Sequence, residues 1–115
     1  MTQSFTVASH FAKSARAVRD IYDALLVASR TLGPVREDPK KTSIHLVRRY
    51  AFAGVATRKE ALILTLKAAQ RVKSPRVHKA LQASEHRWYV EIRLTSPADV
   101  DAELRRWLAQ SYELA

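Results

Sequence analysis

The octapeptide RWYVEIRL, Arg87–Leu94, alternates without a break. Trp88, Val90, Ile92 and Leu94 fall on one side, and Arg87, Tyr89, Glu91 and Arg93 on the other. Successive side chains of a β-strand point to opposite faces, so this segment predicts a strand with one apolar and one polar face. Such a strand belongs to a sheet covered on one side. The rest of the chain must supply the cover.

Two amphipathic helices are readable. Val18, Ile21, Tyr22, Leu25 and Leu32 recur at helical spacing, with Ser14 placed to cap and Gly33–Pro34 to stop the helix. Near the other end Ser96 caps, Pro97 opens, and Asp99 takes the reciprocal capping position. Asp99, Asp101 and Glu103 suit a helix N-terminus through the macrodipole. Val100, Leu104, Trp107, Leu108 and Tyr112 form the apolar stripe.

Between the helices, Val35–Asp38, Thr42–Arg49, Tyr50–Thr57 and Ala61–Lys67 read as extended segments. Pro39 holds the first to an edge or cuts it off, and TRKE turns the chain before Ala61. Gly54 marks a bulge or bend. SPRVHKALQA, with Ser74 as cap and Pro75 at the first position, predicts a short helix. Phe5 and Val7 predict an extended lead-in. The expected fold is α+β: an antiparallel sheet of about four strands, two main helices packed on one face, and a short connecting helix. The expected core is Val18, Ile21, Leu25, Ile44, Leu46, Leu62, Leu64, Trp88, Val90, Ile92, Leu104 and Leu108. The 115 residues suit one domain, 1–115.

Composition narrows the function classes. Apolar residues make up 47% of the chain and cysteine is absent. Disulfides, thiolate metal sites and cysteine nucleophiles are excluded. No apolar run reaches the roughly 20 residues of a membrane span, and MTQSFTVASHFAKSARAV lacks the cationic start and apolar stretch of a secretory leader. The expectation is a cytoplasmic protein that does not enter a membrane. Two glycines, Gly33 and Gly54, preclude a glycine-rich phosphate loop.

The net charge is +9, and Lys40–Lys59 carries six cations and no acid. A local excess of cations attracts anions, although it also serves plain solvation. Alternation puts Ser43 and His45 on the polar sheet face, with Thr65, Lys67, Tyr89, Glu91 and Arg93. Lys41, Arg58 and Lys59 fall near strand ends. Val47 and Ile63, apolar on that same face, imply a concave or partly covered surface.

The stretches PKKTSIHLVRR, AFAGV, RK and HRWYVEIRLTSPADVDAELRRWLAQSYEL resemble a bacterial family of domains of unknown function. The resemblance runs from about Tyr22 to the last residue. It implies a small α+β domain with an antiparallel sheet, and no activity.

From the residues themselves, the leading expectation is a binding module. Lys41, Ser43, His45, Arg58, Lys59 and Tyr89 would take an anionic small molecule or an acidic protein surface. One alternative is weak nucleic-acid binding by the same basic segment, which lacks a helix-turn-helix, an aromatic ribonucleoprotein motif or a zinc knuckle. Another is an enzyme with His45 and Glu91 as acid–base groups. No catalytic set is otherwise readable. His10, His45, His78 and His86 lack metal-ligand spacing, and Glu91 followed by Arg93 is a nuclease-like fragment with only Glu37 and Asp38 as further carboxylates. No metal and no cofactor is expected. Nothing selects an oligomeric state.

Overall fold

The computed structural model describes residues 5–115. The first four residues of the stretch read for a leader lie outside them. The helices are α1, Arg16–Arg30, and α2, Ala102–Glu113. The strands are β1, Arg36–Pro39; β2, Ile44–Val47; β3, Ala51–Thr57; β4, Leu62–Ala68; β5, Val77–Ser84; and β6, Arg87–Leu94. They form one antiparallel sheet in the order β1-β2-β3-β4-β6-β5.

The α+β architecture agrees with the sequence, but the sheet has six strands rather than about four. The difference lies mostly at β5, where the sequence predicts the short helix. Its cues serve a turn: Ser74 Oγ accepts the Arg76 N–H at 3.2 Å, and the Ser74 carbonyl accepts the Val77 N–H at 3.1 Å. The chain then runs straight into a strand. Register shifts between Val77 and Lys79 and between Gln82 and Ser84 break the alternation. Val77 and Ala80, three residues apart, both pack against the core and imitate helical spacing. The expected extended lead-in is also replaced: Ala8–Phe11 forms a 3₁₀ turn, with Phe11 packed on Tyr22 at 5.3 Å between centroids.

Both helix starts differ in detail from their sequence cues. Ser14 does not cap α1; its hydroxyl donates to the Arg58 carbonyl at 2.8 Å, and Ala15 N–H bonds Lys59 O at 2.7 Å. These bonds tie the β3–β4 turn to the start of α1. Ser96 and Asp99 do form a capping box, but around a short 3₁₀ turn, Pro97–Asp99. Asp101 then caps α2 by accepting the Leu104 N–H at 3.0 Å.

The core lies between the helices and one sheet face. Val18, Ile21, Tyr22 and Leu25 of α1 meet Leu104, Leu108 and Tyr112 of α2 in one cluster with Ile44, Leu46, Val55, Leu62, Leu64, Leu66, Val90, Ile92 and Leu94. Burying one such side chain contributes about 1.5–3 kcal/mol. Trp88 departs from the expected core. It is half-buried at the end of β6 opposite Gln82 and Ala68, outside the cluster. Trp107 packs at the margin, 5.7 Å below the Arg76 guanidinium.

A bulge shapes the middle of the sheet. Leu46 faces Ala53, but Val47 faces Ala51, so β3 has an additional residue at Phe52. Phe52 and Ala53 are consecutive and both buried, against the strict alternation of a regular strand. Ser111 of α2 occupies the gap. Its hydroxyl donates to the Phe52 carbonyl and accepts the Lys67 N–H at 2.9 Å.

Candidate functional site

The helices leave the other sheet face open. The register sets Asp38, His45, Gly54, Thr65, Glu91 and Lys79 in one row across it. Lys67 and Tyr89 are opposite each other one step along β4 and β6, and Ile63 and Arg93 one step the other way. Gly54 matters here because it contributes no side chain to the centre of the row. The position a Cβ would occupy has only Thr65 Cβ nearby, at 3.7 Å.

The gap is a trough of about 410 Å³ along β3. Ser43 and His45 of β2's side form one wall; Thr65, Lys67 and Tyr89 form the other. Strands are spaced about 4.8 Å apart, so His45 and Thr65 stand about 10 Å apart with glycine between them. His45 makes no side-chain hydrogen bond among the described residues, neither to Tyr89 nor to Glu91.

The electrostatics concentrate at one end. Burial, and then repulsion from Arg87, hold the Lys67 ammonium below the ordinary lysine range. Arg87 follows the same outward alternation as Tyr89, and its Nε is buried without a hydrogen-bond partner among the described residues. Neither cation pairs with a carboxylate among those residues. The charge of Arg87 adds to that of Lys67, and together they favour an anion beside the lysine.

The six residues expected from the sequence divide. Ser43, His45 and Tyr89 line the trough. Lys41 is exposed in the β1–β2 turn and does not line it. Arg58 and Lys59 sit in the β3–β4 turn and open into a second depression of about 470 Å³, with Glu60, His78, Glu91 and Arg93. Two other members of the basic run, Lys40 and Arg48, have partners. Lys40 pairs with Asp38 at 3.0 Å. Arg48 lies 4.5 Å from the Tyr112 ring centroid and donates to the Tyr112 carbonyl at 3.0 Å. Val47, expected to help shape the open face, is buried, 7% exposed, beside the bulge.

The carboxylate combinations do not converge. His45 and Glu91 are three strand spacings apart, about 14 Å, beyond reach of one reacting atom. Asp38 is a further strand away from Glu91. Glu37 faces the helices instead, where it accepts the Tyr22 hydroxyl at 2.6 Å.

Lys67 and Arg87 are the two site residues that the charge run conceals. The signal for them is present: Thr65 and Lys67 share the outward parity of Arg87 and Tyr89. Two isolated cations on separate strands stand out less than six in twenty residues.

No helix among the described residues is long and apolar enough to cross a membrane. No curated protein and no solved structure matches the chain. A family model, a domain of unknown function designated DUF5655, matches residues 7–115. With nearly the whole chain covered, the protein belongs to the DUF5655 family.

Proposed function

We propose that this protein is an anion-binding module whose site is the trough on the open sheet face. Lys67 receives the anionic group, Arg87 reinforces the positive potential, and Ser43, His45, Thr65 and Tyr89 offer hydrogen bonds along the walls. The observation that carries this reading is the pairing of Lys67 with Arg87 in the absence of a carboxylate partner among the described residues. An incoming anion at Lys67 relieves the repulsion between the two cations.

The test is a titration of isotope-labelled protein with inorganic phosphate, followed by amide chemical shifts. Shifts centred on Lys67, Arg87 and Tyr89 are expected, and Lys67→Met should weaken binding at least tenfold. Shifts confined to Arg58 and Lys59, or binding unchanged by Lys67→Met, overturn the reading.

The second depression supports a nucleic-acid reading. Arg93 lies four residues along the sheet from Tyr89, about 13 Å, so Lys67 and Arg93 could meet different phosphates of one strand. That mode predicts a steep salt dependence, with about 0.7 in logarithmic slope for each phosphate of a single strand.

A further inference from the structure

The anion reading identifies only a head group. Resting on that reading, we infer that the ligand is a small organic anion, a carboxylate or phosphate monoester, with its head at Lys67 and a narrow, neutral body lying along β3 over Gly54. The charge distribution points this way. Lys67 is the one lysine or arginine that lines the trough among the described residues, while Arg58, Lys59 and Arg93 open into the separate depression. A polyanion running along β3 would meet no second permanent cation there. A ligand with one charged end and an uncharged remainder fits that asymmetry.

The dimensions set the shape of the body. The walls at His45 and Thr65 are about 10 Å apart between strand axes, and their side chains occupy part of that width. One aromatic ring or one alkyl chain fills what remains. Ala51, Gly54 and Ala56 border the trough with little side-chain bulk, and its volume, about 410 Å³, is near the lower end of small-molecule sites. Ser43, Thr65 and Tyr89 can hydrogen-bond a neutral body without requiring charge on it.

Gly54 makes the inference separable from the anion reading. A side chain there enters the trough, and its Cβ has no closer neighbour than Thr65 Cβ at 3.7 Å, an ordinary contact. Gly54→Leu should therefore block the body and leave the head-group site intact. Gly54→Ala is the milder companion if the leucine variant fails to fold, as checked by circular dichroism.

Calorimetric titrations of the full chain would use inorganic phosphate, phenyl phosphate and a ten-residue oligothymidylate. Phenyl phosphate is expected to bind at least tenfold more tightly than inorganic phosphate. Gly54→Leu should remove that advantage while phosphate affinity is retained, Gly54→Ala should reduce it, and Lys67→Met should weaken both ligands. Equal affinity for the two phosphates, with both still dependent on Lys67, overturns this inference and leaves the anion reading standing. An advantage that survives both Gly54 variants overturns it too. Loss of Lys67 dependence removes the reading beneath and the inference with it. Tighter binding of the oligothymidylate, weakened by Arg93→Ala, overturns the small-ligand assignment in favour of a nucleic-acid strand.

Discussion

Ser111 is a small polar residue in a buried position, fully inaccessible, and its surroundings account for it. The bulge at Phe52 would leave a carbonyl on β3 and an N–H on β4 without ladder partners, and the serine hydroxyl serves both. Ser111→Ala should cost about 1–3 kcal/mol, because both backbone groups stay buried without a partner. Denaturant unfolding measures the loss, and an unchanged midpoint would show that the two groups find other partners. Gly33 is constrained for a different reason. Its φ of +148° suits glycine, and a Cβ there would clash with the Tyr112 hydroxyl. Gly33–Pro34 is readable as a helix stop, whereas the contact with Tyr112 joins residues far apart in the chain and has no local signature. The trough is legible to a similar, partial extent. Alternation alone places Ser43, His45 and Tyr89 on one face. Lys41, Arg58 and Lys59 lie in turns, where no period dictates direction.

At the scale of elements, β6 and β5 mark the two extremes of legibility. Arg87–Leu94 has a partner on each side and no bulge against β4, so its period of two survives intact in the sequence. β5 is a sheet edge with two register shifts and mostly exposed side chains, including Leu81 at 60%. Its pattern carries little burial information. β5 is joined to the helical layer through Arg76, just before the strand. The guanidinium donates to Asp101 at 2.9 and 3.1 Å, to Glu103 at 3.2 Å and to the Asp99 carbonyl at 2.8 Å. Asp101 is held below the ordinary aspartate range by the Leu104 N–H first and by Arg76 second. A depressed folded pKa contributes stability at pH above the unfolded value, about 3.9, and that contribution disappears as pH falls through the folded value. Asp101→Asn should therefore lower stability near pH 7 and reduce the loss below about pH 4. Thermal unfolding at pH 7 and pH 3 checks both, and parallel curves for the two proteins would contradict the assignment. Tyr22 acts in the opposite range. Burial first, then its bond to Glu37, push the phenol above the ordinary tyrosine range, so its contribution is complete below about pH 10 and is lost on further alkalinisation.

Across the whole molecule, twenty lysines and arginines face eleven aspartates and glutamates. Exposed pairs such as Arg16–Asp20 and Arg19–Asp23 contribute little. Net self-repulsion should then dominate the long-range electrostatics, and added salt should screen it. The melting temperature is expected to rise by a few degrees as sodium chloride goes from low to moderate concentration; a fall would show that attractive pairs outweigh the repulsion. The strand order bears on how the chain is made. β6 inserts between β4 and β5, although β5 precedes it in the chain. During synthesis, β4 therefore waits with one ladder unmatched until Leu94 has been added, 26 residues beyond its own last residue, Ala68. Its neighbour arrives as half of a hairpin whose first arm has been waiting as well. Until β6 follows it, β4 of a nascent chain presents bare backbone along one edge, and a factor that shelters extended segments would have its opportunity there.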